Sequence, residues 1–321
     1  MNKRILIITT GGTIAMRETQ QSGVVFGESV SHIIDNLPEV HKLADIDIKQ
    51  FCNIPSPYMT PQKMFELSQF VDEQIQEYDG CIITHGTDTL EETAYMLDLT
   101  LRTRKTVVFT AAMRSSTDLG VDGPRNILGA IRTVLSEQSI DKGVLVVMND
   151  EINNARDVTK TNTSNVETFI SPGYGYLGIV DIDKVIYVRN NLIKEKIWTD
   201  KIEPKVDLIK AVAGMDDRYL NNSLDSGVKG IVIEAFGRGN LPCVMLHSIK
   251  RAISMNIPII MVSRAYQGRV LDIYGYEGGG RSLKNIGVIL GSDLRGPKAR
   301  IKLMVLLGKY KSIDEIREFW A

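Results

Sequence analysis

The chain has 321 residues, of which 43% are hydrophobic and 24% are charged, and its formal net charge is -1. This composition is typical of a globular protein, and the near-neutral charge gives no indication of a nucleic-acid partner. No apolar run approaches the ~20 residues that a membrane span requires, so we expect no membrane association. The length predicts about two domains.

The cysteines and the N-terminus bear on the cellular compartment. The chain has an odd number of cysteines, three, and they are widely spaced: Cys52, Cys81 and Cys243. This set fits neither a disulfide framework nor a zinc site. The apolar run after the first basic residues ends at Gly11-Gly12 without a small-residue cleavage site, so we interpret it as a core strand and not as a signal peptide. We therefore expect a cytoplasmic protein with reduced thiols and no metal.

In the first half of the chain, apolar strand patterns alternate with helical ones. Strands are predicted at residues 3–9, 46–51, 81–83, 106–110 and 143–148, and helices at 30–37, 61–75, 90–101 and 124–136. Thr60 followed by Pro61 is typical of a helix start. Residues 16–29 are polar with scattered glycines and predict a mobile loop, or lid. The alternation predicts a parallel sheet wound with helices.

From Asp150 the pattern changes. Residues 150–176 are polar, 184–188 predict an edge strand, and 190–205 are rich in charged residues and predict a linker. The alternation then resumes, with strands at 206–212, 230–235 and 257–262 and helices at 216–226, 242–255, 297–307 and 312–320. We therefore predict an α/β protein with a larger N-terminal domain at 1–189, a linker at 190–205 and a smaller α/β C-terminal domain at 206–321.

The most informative stretch is ITHGTDTLEET at residues 83–93, where a buried strand passes into a helix. Ligands of open parallel sheets bind just outside the carboxyl ends of the strands. Gly86 lets the backbone approach a ligand closely, and Thr87 and Asp88 add a hydroxyl and a carboxylate. The structural alternative is a helix cap, because Asp88 followed by Glu91 matches a capping box.

Thr13 follows the first predicted strand and the Gly11-Gly12 pair. Phosphate binding is the alternative for this turn, but the dinucleotide fingerprint and the Gly-Lys-Ser/Thr of a P-loop are absent. Both turns end parallel-type strands, so we expect Thr13, Thr87 and Asp88 at one edge of the sheet. A hydroxyl nucleophile there needs a base.

His85 and Lys160 are the two candidates for that base. The sequence has only four histidines and no Gly-x-Ser-x-Gly elbow. His85 precedes the turn and is more simply interpreted as a core residue. The ordinary interpretations of the other two residues, a helix cap for Thr13 and a surface lysine for Lys160, stay open on the residues alone.

Several stretches together carry a resemblance to bacterial L-asparaginases. They are IITTGGTIA at 7–15, ITHGTDTLEETAYMLDL at 83–99, AAMRSS at 111–116, DGPRN at 122–126, VLVVMND at 144–150 and RDVTKTNTS at 156–164. The matches follow the same order as in that family and continue more weakly at 236–241 and 296–301. The chain is therefore similar to this family through most of its N-terminal half and, in weaker form, beyond it.

The resemblance implies a hydrolase that acts on L-asparagine without metal or cofactor. Thr13 would be the nucleophile that forms an acyl-enzyme, and Thr87, Asp88 and Lys160 would form a second catalytic cluster. Backbone N–H groups of Thr13 and Thr87 are our candidates for the oxyanion hole. The implied substrate-binding residues are Gly12, Ser56, Pro57, Thr87, Asp88, Ala112 and Asn240.

Most of these residues have a particular implied contact. Asp88 would hold the α-amino group, Ser56 the α-carboxylate, and the backbone at Ala112 would lie beside the scissile amide. Asn240 would lie at the edge of a neighbouring subunit's site, because the family is commonly tetrameric. We therefore expect a homo-oligomer, dimeric or tetrameric, whose only other partner is a small amino acid.

The sequence departs from the family pattern at two places. Pro57 stands where a glutamine often follows the carboxylate-binding serine, and it offers no side-chain donor. Residues 16–29 contain no tyrosine, although the family's flexible loop usually supplies one; Tyr274, Tyr276 or Glu277 are candidates to replace it. The reaction class is unaffected by these departures.

The departures nevertheless leave the substrate open. A preference for glutamine is one alternative, since one methylene is worth only ~1–3 kcal/mol of discrimination. A non-catalytic amino-acid sensor or an amidotransferase-type subunit of the same fold is the other. Allosteric control is also left open by the sequence.

Overall fold

The computed structural model describes residues 2–12, 14, 16–19, 23–26 and 30–320, with the backbone alone at 16–19, 23–26 and 31–32. The chain divides into two compact units, residues 1–196 and 197–321. Strands followed by helices recur in both units, as the alternation of apolar patterns in the sequence predicts.

The first unit has twelve described strands and five described α-helices. The strands are β1 (Arg4–Thr9), β2 (Met16–Thr19), β3 (Gly23–Phe26), β4 (Asp45–Gln50), β5 (Gly80–Thr84), β6 (Thr106–Thr110), β7 (Val144–Met148), β8 (Glu151–Asn154), β9 (Thr159–Lys160), β10 (Phe169–Ile170), β11 (Gly178–Val180) and β12 (Val185–Tyr187). The helices are α1 (Val30–Asp35), α2 (Pro38–Leu43), α3 (Pro61–Gln74), α4 (Leu90–Thr100) and α5 (Gly123–Leu135). Three-residue 3-10 helices occupy Ser56–Tyr58, Ile75–Glu77 and Glu137–Ser139.

Eight of these strands form one sheet in the order β12-β11-β8-β7-β6-β5-β1-β4. The strands from β7 to β4 are parallel, and β8, β11 and β12 add an antiparallel edge. Both faces of the parallel part are covered: Leu6 and Ile8 of β1 belong to one buried cluster, and Ile5 and Ile7 belong to the other. This two-residue period explains why the central strands are apolar at nearly every position.

The second unit has a four-stranded parallel sheet in the order β13 (Val206–Lys210), β14 (Gly230–Ala235), β15 (Ile259–Ser263) and β16 (Ile289–Leu290). Its helices are α6 (Arg218–Asp225), α7 (Leu246–Ser254), α8 (Gly280–Asn285), α9 (Gly296–Lys309) and α10 (Ile313–Glu318), with a 3-10 helix at Cys243–Met245. α9 packs against β13, β14 and β15. The predicted fold class, a mainly parallel N-terminal sheet with helices and a smaller C-terminal α/β unit, is therefore confirmed.

The structure corrects the sequence analysis in two polar segments. Within residues 16–29, predicted as a loop, β2 and β3 pair as an antiparallel hairpin; the other residues of that segment lie outside the described ones. Residues 150–176, for which the polar pattern predicted no strand, contain β8, β9 and β10, and Lys160 lies in β9. Strands of two to four residues are too short to show a recognisable apolar period.

Two predicted helix starts have opposite outcomes. The start at Thr60 is confirmed, because its side chain accepts a hydrogen bond from the backbone N–H of Lys63 and Pro61 begins α3. The capping box at Asp88 and Glu91 is wrong: α4 has Thr89 at its N-cap, and no side chain there caps the helix. The Asp88 carboxylate is therefore not used as a cap.

The described helices do not reach the length and apolarity of a membrane span. The two 14-residue helices, α3 and α9, fall short of the ~20 apolar residues that a bilayer requires.

The turns after β1 and β5 are in direct backbone contact at the carboxyl edge of the sheet. Thr10 donates its backbone N–H to the Thr84 carbonyl at 3.1 Å, which extends the pairing of the two strands. Gly12 has φ +88°, and a Cβ built on it would lie 2.4 Å from the Gly86 Cα. Only glycine fits at this contact, because a side chain would both strain the backbone and collide with its neighbour.

We expect Gly12→Ala to destabilise the protein by about 2–5 kcal/mol. Left-handed backbone costs an alanine about 1–2 kcal/mol, and overpacking adds about 1–3 kcal/mol. Urea unfolding measures the change. Gly129→Ala in α5 is the matched control, because a Cβ there would lie 3.4 Å from Val147 in ordinary contact and the exchange favours helix. Equal stabilities of Gly12→Ala and wild type would contradict the contact.

Candidate active site

A cluster of three polar side chains lies at the carboxyl edge of β5. Thr87 and Asp88 are in the turn that follows β5, and Lys160 is in β9, which pairs with β10 through Phe169. The Lys160 Nζ donates to the Thr87 Oγ1 at 2.9 Å and to the Asp88 Oδ1 at 2.7 Å. The structure thus brings together three predicted site residues, because Lys160 contacts Thr87 and Asp88, which lie 73 and 72 positions before it in the chain.

The members of the cluster differ in exposure. Thr87 is buried, the Lys160 side chain is 17% exposed, and the Asp88 side chain is 59% exposed. The ammonium group is thus fixed by two acceptors, while the carboxylate keeps a solvent-facing side. A second cation of small size, such as an α-amino group, has access to that carboxylate.

Ser56 lies next to the cluster and is held by backbone contacts. Its Oγ accepts the Asp88 backbone N–H at 3.2 Å, and its carbonyl accepts the Thr89 hydroxyl at 2.8 Å. A Cβ built on Gly86 would lie 2.7 Å from the Ser56 Cβ, so the two backbones are tightly packed. Because the Ser56 oxygen is the acceptor in this contact, its hydroxyl hydrogen is not used there.

Pro57 occupies the first turn of the 3-10 helix that starts at Ser56, and it is exposed. Its ring fixes φ and it carries neither a backbone N–H nor a polar side chain. It therefore shapes the turn beside Ser56 and offers no side-chain hydrogen bond to a ligand.

Ala112 follows β6 and is fixed by anchors on both sides. Asn126 donates its Nδ2 to the Ala111 carbonyl at 2.9 Å, and Asp122 accepts the Met113 backbone N–H at 2.9 Å. Both anchors lie at the start of α5. The sequence analysis quoted DGPRN as a motif but did not identify Asp122 and Asn126 as the groups that hold the Ala112 backbone.

Two predicted site residues stand apart from this description. Thr13 lies outside the described residues, between Gly12, which contacts Gly86, and Ile14, which is buried. Asn240 belongs to the second unit, in a turn closed by a bridge to Phe236. Its Oδ1 is buried and has no hydrogen-bond partner among the described residues.

Within the described part of the chain, no group of three or more His, Cys, Asp and Glu side chains is arranged to hold a metal ion. The three cysteines are free thiols.

His85 is fully buried immediately before the turn. Its ring packs against Phe109 with the centroids 5.9 Å apart, and its Nδ1 lies 2.8 Å from the Gly86 carbonyl oxygen. Desolvation by burial lowers the pKa of His85 to about 4, against the smaller raising effect of the Gly86 hydrogen bond. The neutral, enclosed ring agrees with the interpretation as a core histidine and disfavours a role as the catalytic base.

The fold and the site together define a class of enzyme. Two α/β units, with a threonine, a lysine and an aspartate converging after a central strand, suit hydrolysis of a small zwitterionic substrate. The family model Asparaginase, N-terminal, matches residues 4–193, and the model Glutaminase/Asparaginase C-terminal domain matches residues 205–320. The chain therefore belongs to the asparaginase family.

Individual relatives are similar over their full length. An L-asparaginase of Bacillus licheniformis is 40% identical over 97% of both chains. A probable periplasmic L-asparaginase of Haemophilus influenzae is 35% identical over 98% of this chain and 92% of the relative. The solved structure of a probable cytoplasmic L-asparaginase from Campylobacter jejuni has a TM-score of 0.89 and 34% identity, and 99% of each chain is covered.

The buried His85 predicts an acid-sensitive term in the stability. Its pKa of about 4 in the folded chain lies below the ordinary 6.5, so the unfolded chain binds more protons between these values. Stability from this group is complete above pH 6.5 and falls by on the order of 3 kcal/mol as the pH drops to 4.

Urea unfolding of wild type and His85→Asn from pH 7 to pH 4 measures this term, because the variant lacks it. His41→Asn, which removes an exposed imidazole from α2, is the matched control. Parallel curves for wild type and His85→Asn would contradict the prediction.

Proposed function

We propose that the chain hydrolyses L-asparagine to L-aspartate and ammonia, with Thr13 as the nucleophile. The observation that carries the proposal is the contact of Lys160 with both Thr87 and Asp88 at the edge where the Gly12 and Gly86 turns meet. Membership of the asparaginase family supports the same reaction.

Two groups beside the cluster suit the charged ends of an amino acid. The Asp88 carboxylate would pair with the α-amino group on its solvent-facing side. The Ser56 hydroxyl, whose oxygen already accepts the Asp88 N–H, would donate its hydrogen to the α-carboxylate. Because Ser56 and Asp88 are hydrogen-bonded to each other, they would fix both ends of the substrate at one spacing.

In the first step, the Thr13 hydroxyl oxygen attacks the side-chain carbonyl carbon and its proton passes to the amide nitrogen. The C–N bond breaks, ammonia leaves, and an ester joins Thr13 to the aspartyl group. Backbone N–H groups at Thr13 and Thr87 would stabilise the oxyanion that forms on the way. The backbone at Ala112, fixed from Asp122 and Asn126, would orient the leaving amide.

In the second step, water adds to the ester, L-aspartate leaves and the Thr13 hydroxyl is restored. The Thr87 hydroxyl suits a proton-relay role here. Its oxygen already accepts a hydrogen bond from Lys160 Nζ, so its own hydrogen is available to the reacting groups. Asp88 holds the other side of the same ammonium group and keeps it in place.

The assembly is a further part of the proposal. We infer a homo-oligomer in which Asn240 of one copy completes the site of another, as the family resemblance implies. Tyr274, Tyr276 and Glu277 are the proposed replacements for the missing loop tyrosine. Sedimentation velocity gives the assembly state, and an active monomer would oppose this inference.

We place the enzyme in the cytoplasm. The three free cysteines support this compartment. The relatives do not decide it, since one is called cytoplasmic and another periplasmic. Fractionation of the native cells is the direct test, and recovery in a periplasmic fraction would refute it.

Thr13→Ala is expected to lower ammonia release from L-asparagine by at least about 10³-fold, because the nucleophile is lost. Thr13→Ser keeps a hydroxyl and is the matched control, expected to retain part of the activity. The assay also compares kcat/KM for L-asparagine with that for L-glutamine. Near wild-type turnover by Thr13→Ala would contradict the proposed mechanism.

Two other results of that assay change the proposal. Release from glutamine alone would keep the mechanism and change the substrate. A folded wild type that binds asparagine and releases no ammonia would favour a sensor or an amidotransferase-type subunit.

Lys160→Met is expected to lower kcat by about 10²–10⁴-fold, because it removes the group that holds Thr87 and Asp88. The free energy of unfolding should change by no more than about 1 kcal/mol, since Asp88 is largely exposed. Lys194→Met is the matched control: it makes the same change in an exposed pair with Asp141. Equal loss of activity in both variants would contradict a specific role for Lys160.

A further inference from the structure

The Gly86–Thr87 peptide is enclosed on two sides. On one side, Gly86 lies against Gly12: a Cβ added to Gly12 would come within 2.4 Å of the Gly86 N and Cα. On another side it lies against Ser56, where an added Cβ on Gly86 would come within 2.8 Å of the Oγ. This packing restricts displacement of the peptide. The orientation of the peptide plane about the line between its two Cα atoms is set by hydrogen bonds.

His85 controls that orientation from within the core. The Gly86 carbonyl oxygen can only accept a hydrogen bond, so the imidazole nitrogen 2.8 Å away, Nδ1, must carry the hydrogen. The Nε2 of the same ring is buried and has no partner in the described part of the chain. One tautomer is thus selected, and it donates to the carbonyl of the next residue along the chain.

The ring itself has little freedom to move. It is fully buried, it packs against Phe109, and the His85 backbone N–H donates to the Thr110 carbonyl at 3.0 Å. The donor that faces the Gly86 carbonyl is therefore held on the sheet itself, and not on a mobile loop.

The direction of the carbonyl fixes the direction of the next N–H group. No described peptide bond is cis, and in a planar trans peptide the C=O and N–H bonds point in opposite directions. A hydrogen bond that draws the Gly86 oxygen towards the His85 ring therefore turns the Thr87 N–H away from the core. The Thr87 hydroxyl belongs to the cluster with Lys160, so this residue lies at the site.

We propose that His85 is a positioning residue, whose Nδ1–H orients the Gly86–Thr87 peptide so that the Thr87 N–H meets the oxyanion formed during hydrolysis. This inference rests on the proposed function, because it needs an acyl transfer at Thr13. The ring neither touches the substrate nor exchanges a proton with it. Its contribution is exerted in the transition state, when negative charge collects on the substrate oxygen.

A matched pair of variants separates the hydrogen bond from the bulk of the ring. Asn carries its Nδ2 on Cγ, as His carries Nδ1, so His85→Asn keeps a donor at the same place in the side chain. His85→Leu puts a methyl group there, and His85→Met is a second variant without a donor in case the first does not fold. Thr106→Val, which removes a buried hydroxyl of β6 that has no partner among the described residues, is the control for a change in the core.

Loss of one oxyanion donor costs about 10²–10³-fold in kcat, and misdirecting it should cost about 10–100-fold. We expect that loss of kcat for L-asparagine in His85→Leu, with KM and the Kd for L-aspartate within about threefold of wild type. His85→Asn should recover kcat to within about fivefold of wild type. Thr106→Val should match wild type in all three quantities.

Three results would overturn the inference while the proposed function stands: an unchanged kcat in the variants without a donor, an equal loss in His85→Leu and His85→Asn, or a loss confined to KM. Thermal unfolding of each variant, with L-aspartate binding, identifies the folded ones. A folded wild type that releases no ammonia from L-asparagine or L-glutamine would instead remove the proposed function itself, and the inference with it.

Discussion

The site depends on one backbone contact, the approach of Gly12 to Gly86. β1 and β5 are neighbours in the sheet, so the turns that follow them lie side by side, but ordinary residues would keep these turns apart. With no Cβ on Gly12, the two backbones meet, and the absence of a Cβ on Gly86 lets Ser56 approach from another side. Gly12 is thereby fixed next to the turn that carries Thr87 and Asp88. The sheet places the two turns side by side, and the absence of a Cβ on Gly12 permits the short distance between them.

Lys160, the second element of the site, comes from a strand outside the main sheet. Lys160 lies beyond the parallel strands, in a two-residue strand, and its ammonium group reaches the β5 turn across more than seventy positions of sequence. Its two acceptors and low exposure make it an internal group, whereas Asp88 faces solvent. A buried ammonium needs fixed partners, and a carboxylate that binds a ligand needs an open side. The arrangement satisfies both requirements with one ion pair.

Much of the fold could be predicted from the sequence, because long apolar strands and amphipathic helices carry a clear period. The confirmed examples include the strand before Thr84 and the helix start at Thr60. The antiparallel pair of β2 and β3 was missed, since strands of four residues are defined by their partner and not by their own pattern. The predicted capping box at Asp88 is wrong for another reason. The sequence has the spacing of a capping box, but the Asp88 carboxylate accepts a hydrogen bond from Lys160 and does not cap its own helix.

In the candidate site too, some residues can be recognised from their neighbours in the sequence, whereas others depend on contacts between distant parts of the chain. Thr87 and Asp88 could be selected from the residues because a strand, a glycine and a helix surround them. The anchors of Ala112 at Asp122 and Asn126 depend on packing between β6 and α5, which no local pattern reveals. Lys160 was one of two candidate bases on the residues alone, and Ser56 was assigned a role only through family resemblance. Their contacts with Asp88 now give a physical basis for the proposal.

The polar groups that the core leaves unsatisfied bear on the same turn. Thr84 Oγ1 and His85 Nε2 are both buried without partners among the described residues, and they belong to adjacent residues at the end of β5. An unsatisfied buried group costs about 1–3 kcal/mol, and apolar side chains there would avoid that cost. Violations of this kind are expected at functional sites, where another requirement outweighs stability. For His85, that requirement is a neutral donor inside the core, directed at the peptide that carries the Thr87 N–H.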